Sequence, residues 1–336
     1  MTVVTPVGQP TSRPTGFRVL ASQRWRRRNL TFDKVSFFLV FLVVPVIGYL
    51  AFVVSPFVQA AYFSLTSWTG FSAEMKFVGL ANYAKLLQDD TFLKAVGNSV
   101  TLAIVLPTVT LTIALIFASM ITVGGPSTGA VRGLRHSSLY RVVSFFPYVV
   151  PAIVIGLIWS AIYDPNSGLL NGVLTRIGIE QAQSFAWLGD IRTAMPAVMF
   201  AIVWGLVGFY MVLFVAAIKG IPAEVFEAAR VDGAGRFRTA ISITIPLIRD
   251  NVQTAFIYMG ILALDAFVYM AALEPGGGPA NSTLVMSQQL FTTAFTKGQF
   301  GYACAMGVVL AAITLAYAGL VFVINRLTGG TNEVGE

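Results

Sequence analysis

Long apolar stretches without charge constrain this chain more than any other feature. A bilayer core of about 30 Å needs roughly 20 apolar residues per helix. Five such stretches carry no charged residue and a sixth carries one acid, Asp265. They lie near 35–64, 95–123, 142–163, 194–218, 251–273 and 302–324. Because a lipid-embedded backbone must satisfy its own hydrogen bonds, the sequence predicts an all-α integral membrane protein with six transmembrane helices.

Composition and charge agree with a membrane protein. Hydrophobic residues make up 56% of the chain and charged residues 11%, against roughly 25% charged residues in a soluble domain. Of the 22 Lys and Arg residues, 16 fall in the N-terminal tail, the second and fourth connections and the C-terminus. Cytoplasmic segments are enriched in such residues. We therefore expect a multi-pass protein of a bacterial cytoplasmic (inner) membrane with both termini in the cytoplasm.

The same charge distribution bears on partners and domain organisation. The excess of Lys and Arg in the cytoplasmic segments accounts for the net charge of +7. Binding to nucleic acid is therefore not needed to explain the positive charge, and we expect membrane lipid and no nucleic acid as a partner. Residues 1–32 are rich in Pro, Thr, Ser and Arg and are expected to form a disordered basic cytoplasmic tail. Its Arg24 to Arg28 cluster would touch anionic lipid headgroups. Residues 33–330 would form the helical domain, and 331–336 a C-terminal tail.

Enzymatic chemistry has little support in the sequence. His136 is the single histidine and has no Asp, Glu or Cys cluster near it in sequence. The glycine stretches 124–125 and 276–278 lack the Lys and Ser/Thr of a phosphate-binding loop. We expect no catalytic residue, no metal site and no cofactor, so ATP-driven transport would need another chain to bind ATP. Ion-coupled secondary carriers often use several acidic residues within their spans, and this chain has one. Such a carrier is therefore less favoured but stays an alternative.

The segment between the fourth and fifth stretches is the most informative part of the chain. Pro222 suits a first helical turn, and Glu224 and Glu227 suit the positive end of a helix dipole. Gly233 would end the helix in a left-handed or otherwise alanine-intolerant conformation. Small side chains leave a surface that another protein can approach, at Ala228, Ala229 and Ala234. The residues alone favour two interpretations equally, a docking helix and an amphipathic helix on the membrane surface.

A motif with fixed spacing identifies a family here. Glu227-Ala228-Ala229, three residues, Gly233, nine residues, Ile243, one residue and Ile245-Pro246 resemble the EAA loop of ATP-binding cassette (ABC) importer permeases. Ile245 stands where Leu is usual. Further stretches resemble the sugar-importer branch, at 77–83, 145–147, 168–171, 187–189, 277–279, 282–283 and 300–302. The resemblance runs from about 33 to 326, with a family core at about 95–326.

The resemblance implies a type I importer bundle with defined partners. These are a second permease subunit in a heterodimer, a cytoplasmic ABC ATPase dimer and an extracytoplasmic solute-binding (lipo)protein. A coupling helix at about 222–233 would enter a cleft of the ATPase. The implied coupling residues are Glu227, Ala228, Ala229, Asp232, Gly233, Ala234 and Pro246. The stretches 55–60 and 263–267 resemble actinobacterial permeases for N-acetylglucosamine or chitobiose.

Asp265 is the starting point for a substrate pathway. An acid facing lipid costs a few kcal/mol, so its side chain should face the bundle interior or a wet cavity. A carboxylate beside aromatic rings suits a sugar, although Asp265 could equally bond another helix or the partner permease. In resembling maltose permeases the sugar site lies on the fourth and fifth spans, at positions that are mostly apolar here, which makes maltose a poor guess. The candidate pathway residues are Phe209, Tyr258, Met259, Leu262, Ala263 and Asp265.

Three alternative functions remain open at this point. A permease for glycerol phosphate would prefer Arg or Lys in the pathway, where none is seen. A secondary carrier would take up solute without an ATPase. A membrane anchor that only assembles other proteins would show no dependence on any solute.

Overall fold

The computed structural model describes residues 36–72, 74–123 and 137–327. The tail 1–32 with Arg24 to Arg28, His136 and the C-terminal segment 331–336 lie outside the described residues. The chain divides into two compact units, Met1–Phe57 and Val58–Glu336. The described residues of the first unit, 36–57, belong to the apolar helix α1 (Ser36–Phe63), which contains two π-helical stretches, Leu39–Val43 and Leu50–Val54.

The second unit is helical throughout its described regular structure. Its first six helices are α2 (Ala81–Leu86), α3 (Asp90–Val123), α4 (Ser137–Val149), α5 (Ala152–Ile162), α6 (Leu169–Arg176) and α7 (Ala194–Lys219). Then follow α8 (Ala223–Val231), α9 (Arg236–Thr239), α10 (Ile245–Leu247), α11 (Arg249–Leu264), α12 (Phe267–Leu273), α13 (Met286–Phe291) and α14 (Phe300–Leu327). The described residues contain no strand beyond one isolated bridge between Thr66 and Phe77.

Four helices are long and apolar enough to cross a membrane alone, namely α1, α3, α7 and α14. The other two predicted spans are each divided into two helices. Between α4 and α5 the chain turns by 95°, and between α11 and α12 by 48°. Pro151 explains the first bend because it lacks the N–H that would continue the helix. The described residues therefore contain four to six spans, depending on whether each bent pair crosses the membrane once.

The core of the second unit surrounds α7. This helix packs against α3, α4, α5, α11 and α12, and its side chains Ile202, Tyr210, Met211 and Phe214 are buried. Gly208 allows α4 to approach α7 closely, because a Cβ placed on it would lie 1.7 Å from the Ser144 carbonyl oxygen. Small residues serve this purpose in membrane bundles, where helices associate through close packing.

The connection after α12 folds back onto the N-terminal part of α3. We call residues 274–285 the GGP loop, after Gly277, Gly278 and Pro279. Lys94 Nζ donates a hydrogen bond of 2.6 Å to the Ala280 carbonyl. Asn98 Nδ2 donates to the carbonyls of Asn281 and Leu284, at 3.1 and 2.8 Å. These side chains of α3 hold a loop whose backbone is left-handed at Gly277, Gly278, Ala280 and Asn281.

Candidate coupling loop and substrate pathway

The coupling loop, residues 220–246, carries its predicted helix on one side of the second unit. Pro222 lies one position before α8, as its N-cap, and not within the first turn. Phe226 and Ala229, three residues apart, are the buried side chains of α8. Spacing of three or four residues places Glu224, Glu227, Ala228 and Val231 together on the opposite face, and all four are exposed. Two buried residues thus anchor a helix whose other face is open to a partner.

The end of α8 has the hydrogen bonds of a Schellman motif. The Ala234 N–H donates to the Ala229 carbonyl at 2.9 Å, and the Gly233 N–H donates to the Arg230 carbonyl at 3.0 Å. This pairing needs a left-handed residue directly after the C-cap Asp232. Gly233 supplies it with φ of +72°, so the left-handed stop predicted at Gly233 is confirmed. A Cβ at Gly233 would have no neighbouring heavy atom within 4 Å.

The second half of the EAA spacing leads into the fifth predicted span. After α9, a π-helical turn (Ala240–Thr244) contains Ile243, and Pro246 lies in the first turn of α10. The break before α11 falls at the buried residue Ile248. Between this segment and α3 lies an apolar groove of about 620 Å³. The coupling loop therefore continues directly into the helix that leads to Asp265.

Asp265 lies at the bend between α11 and α12. Its backbone leaves the helical region, with φ of −106° and ψ of 44°, and its side chain is exposed in this chain. Tyr258 and Leu262 lie seven and three residues before it on the same face of α11 and are exposed and half-buried, respectively. In the described part of the chain, no hydrogen bond to the Asp265 carboxylate is found. The bend thus presents a carboxylate outward from this subunit.

The remaining pathway candidates lie elsewhere. Met259 and Ala263 are fully buried in the core on the opposite face of α11. Phe209 is half-buried on α7 and stacks on Tyr148, with ring centroids 4.5 Å apart. Tyr258, Leu262 and Asp265 share one face of the bent helix, whereas Met259 and Ala263 are core residues and Phe209 lies on α7. A role of all six in transport stays a prediction.

Lys94, Asn98 and Ser99 are residues that sequence reasoning missed. Ser99 Oγ accepts a hydrogen bond of 3.0 Å from the Met286 N–H, next to the two α3 side chains that hold the GGP loop. Their partners lie more than 180 positions away in the sequence, so no local pattern could have indicated them. For metal binding, the described residues offer no group of three or more His, Cys, Asp or Glu.

Helical regular structure, several apolar spans and an exposed loop helix define a polytopic α-helical membrane protein. The family model described as "binding-protein-dependent transport system inner membrane component" matches residues 120–329. The chain belongs to this family of inner membrane transport components, and its predicted resemblance to ABC importer permeases is confirmed.

Individual relatives carry the same assignment. The diacetylchitobiose uptake system permease protein NgcF of Streptomyces coelicolor is 64% identical over 307 residues, which cover 91% of this chain and 87% of NgcF. The probable ABC transporter permease protein YurN of Bacillus subtilis is 37% identical over 82% of this chain and 91% of its own length.

A solved structure shares the fold. A chain of a bacterial alginate ABC transporter, crystallised with an alginate pentasaccharide-bound periplasmic protein, matches with a TM-score of 0.74 at 20% sequence identity. The match covers 89% of this chain and 98% of that one. At this identity the likeness establishes the fold alone.

Proposed function

We propose that this chain is one permease subunit of an ATP-driven sugar importer and that its substrate is an N-acetylglucosamine oligomer such as diacetylchitobiose. The observation that carries the proposal is the 64% identity to NgcF over 91% of this chain. The chain itself has no catalytic role. It provides half of a pathway whose other half is a second permease, while a cytoplasmic ABC ATPase dimer hydrolyses ATP and an extracytoplasmic binding (lipo)protein delivers the sugar.

The proposed topology has six spans, so that both termini and the coupling loop lie in the cytoplasm. Each bent helix pair, α4 with α5 and α11 with α12, then counts as one span. The bias of Lys and Arg toward the tail and the second and fourth connections supports this orientation. Residues 1–32 and 331–336 form the cytoplasmic tails of the helical domain.

Coupling to ATP hydrolysis depends on the open face of α8. Glu227 and Asp232 offer exposed carboxylates to basic groups of the ATPase, and the small Ala228 lets the partner backbone approach. Ala229, which is buried, and Ala234, whose N–H closes the Schellman motif, attach the helix to the loop. Pro246 then passes the movement of the loop into α11. Closure of the ATPase dimer would therefore shift the bend at Asp265.

For the pathway, we propose that the Asp265 carboxylate accepts hydrogen bonds from sugar hydroxyl or amide groups. Tyr258 and Leu262 line the same face, and Met259, Ala263 and Phe209 belong with Leu262 to the core cluster that supports it. No Lys or Arg occurs from Asn251 to Leu273, which disfavours a phosphate-bearing solute such as glycerol phosphate. An ion-coupled secondary carrier is disfavoured by membership in a binding-protein-dependent family.

Reconstitution with the partner subunits tests this function. The complex is placed in liposomes, and ATP hydrolysis and uptake are measured with binding protein loaded with N-acetylglucosamine, diacetylchitobiose or maltose. We expect diacetylchitobiose to stimulate both. An Asp265→Asn variant, which keeps size but loses charge, should bind the sugar more weakly than wild type. Hydrolysis that ignores every loaded binding protein, or uptake by this chain alone that collapses with the ion gradient, contradicts the proposal.

A further inference from the structure

A row of six aromatic side chains runs along the second unit and ends beside the bend at Asp265. We call it the aromatic row; its members are Phe71, Trp68, Phe300, Phe295, Phe291 and Phe267. Ring centroids are 5.5 Å apart for Phe71 and Phe300, 5.7 Å for Trp68 and Phe300, and 5.4 Å for Phe300 and Phe295. The row continues at 4.9 Å to Phe291 and 5.1 Å to Phe267. Phe71 and Trp68 thus both contact Phe300, and from Phe300 onward each ring is in contact distance of the next.

Backbone contacts fix the outer end of the row. The Gly301 N–H donates to the Trp68 carbonyl at 2.8 Å, which joins the connection after α1 to the start of α14. Gly70, with φ of +86°, packs directly on the Phe300 ring, since a Cβ there would lie 2.1 Å from it. Two distant connections are thereby held together so that Trp68 and Phe300 meet.

Helical geometry sets the inner end. Phe291 and Phe295 are four residues apart on α13 and the π-helical turn that follows it (Thr292–Thr296), so their rings lie on one face. Phe267 is in the first turn of α12, two residues after Asp265. The row therefore leads from the connections between spans to the start of α12, beside the helix bend.

Several of these rings are open to a ligand within this subunit. The exposed fraction is 84% for Phe71, 61% for Phe295 and 45% for Phe291. Thr296 and Gln299, the sequence neighbours of Phe295 and Phe300, are exposed polar residues, and Gln299 Oε1 accepts a hydrogen bond of 3.3 Å from Lys85 Nζ. Apolar faces with polar groups at their edges suit a molecule that also has both, which a sugar does and a lipid chain does not.

From this arrangement we infer that the aromatic row is a sugar-binding track along which N-acetylglucosamine units stack on their way to Asp265. The inference rests on the proposed function and adds the surface by which the sugar enters. Sugar C–H faces and N-acetyl methyl groups contact the exposed rings, while hydroxyl groups remain free for the polar neighbours. A longer oligomer covers more rings, so the row should matter more for a disaccharide than for a monosaccharide.

The test compares ring deletions with a ring deletion elsewhere on the same chain. Phe291→Leu, Phe295→Leu and the double variant are assembled into the full transporter, alongside Phe295→Tyr, which restores an aromatic face. The control is Phe322→Leu on α14, because Phe322 has the same exposed fraction of 61% but lies outside the row. Uptake kcat/KM is measured for N-acetylglucosamine and diacetylchitobiose, together with subunit stoichiometry after purification and ATP hydrolysis without sugar.

We expect each leucine variant to lower kcat/KM for diacetylchitobiose about threefold and the double variant about tenfold, which corresponds to the usual contribution of aromatic contacts. The loss should be smaller for the monosaccharide, and Phe295→Tyr and Phe322→Leu should stay near wild type. Stoichiometry and sugar-free hydrolysis should not change. If the double variant takes up diacetylchitobiose as well as wild type does, the sugar-binding track is wrong while the proposed function stands. The same holds if uptake falls only because less of the transporter assembles. If the wild-type transporter imports no sugar, the proposed function fails as well.

Discussion

The coupling loop and the GGP loop are both rich in glycine, yet only for the second do the hydrogen bonds given above include side chains of a distant helix. In the coupling loop, the bonds that end α8 run between backbone atoms of the loop itself, from Ala234 to Ala229 and from Gly233 to Arg230. The GGP loop also has backbone bonds of its own, such as that from the Thr283 N–H to the Gly277 carbonyl, but it accepts further bonds from the side chains of Lys94 and Asn98 on a distant helix. The coupling helix is thus anchored by its buried residues Phe226 and Ala229, whereas the GGP loop is also attached by polar side chains of α3.

The glycines of the two loops show the same contrast. A side chain at Gly233 would meet no atom within 4 Å, so only its backbone angle requires glycine. At Gly278, φ of 70° and ψ of −179° fall in a region that only glycine adopts, and a Cβ would also lie 2.5 Å from Thr283 Oγ1. The coupling loop therefore needs glycine only for its backbone angle. The GGP loop needs it both for its backbone angles and because there is no room for a Cβ.

The largest expected effect is on coupling, from Gly233→Asp. An aspartate disfavours the left-handed turn and adds a charge to the open face that the ATPase would contact, while it displaces nothing within this chain. We expect sugar uptake per ATP hydrolysed to fall at least about tenfold, in the range of ordinary coupling free energies between sites. The amount of protein in the membrane should match wild type.

Gly235→Asp is the matched control for that variant. A Cβ at Gly235 would also meet no heavy atom within 4 Å, but the φ of −67° at this position suits any residue. If uptake falls equally in both variants, added charge and not the left-handed turn is responsible. If Gly233→Asp transports normally at normal abundance, the coupling role of this turn is wrong.

Gly278→Ala should produce the next largest effect, on stability. Strain from the backbone region that only glycine adopts costs about 1–3 kcal/mol, and the contact with the Thr283 hydroxyl adds to it. We expect a lower thermal unfolding midpoint in detergent, with the GGP loop released from α3. Gly276→Ala in the same loop should leave the midpoint unchanged, because Gly276 has ordinary φ and open space. Equal midpoints for both variants would contradict the strain argument.

What the sequence could predict differs between the two loops for a physical reason. The stop at Gly233 and the open face of α8 follow from residues within one or two turns, so local spacing was sufficient. The attachment of the GGP loop to Asn98 and the outer end of the aromatic row join residues about 180 to 230 positions apart, which no local pattern encodes. The bend at Asp265 has no proline or glycine beside it, and the sequence therefore indicated one span there without the break.

Asn98→Leu tests whether the α3 side chains hold the GGP loop. The change removes two hydrogen bonds and leaves the carbonyls of Asn281 and Leu284 without that donor. Loss of such partners costs about 1–3 kcal/mol, so the unfolding midpoint should fall. Thr101→Val on the same helix is the control, because Thr101 Oγ1 donates only to the Gly97 carbonyl one turn earlier. Faster amide hydrogen exchange should appear at 280–286 in Asn98→Leu and should be absent in the control.

The smallest effect concerns Glu274, the first residue of the GGP loop. Burial raises the pKa of its carboxyl from 4.5 to about 7, and its Oε1 has no hydrogen-bond partner among the described residues. Since the folded pKa is raised, the stabilising contribution of the protonated form is complete below pH 4.5 and is lost as the pH rises through about 7. The free energy of unfolding should therefore fall by about 2 kcal/mol between pH 5 and pH 8.

Glu274→Gln stays neutral over this range and should flatten the pH profile of the unfolding midpoint, with its greatest advantage over wild type at pH 8. Glu224→Gln removes an exposed carboxylate from the coupling loop and should keep the wild-type profile. The two variants compare Glu274, a buried acid of the GGP loop, with Glu224, an exposed acid of the coupling loop. Parallel profiles for wild type and Glu274→Gln would show that Glu274 is hydrated in the folded protein and that the GGP loop is as open as the coupling loop.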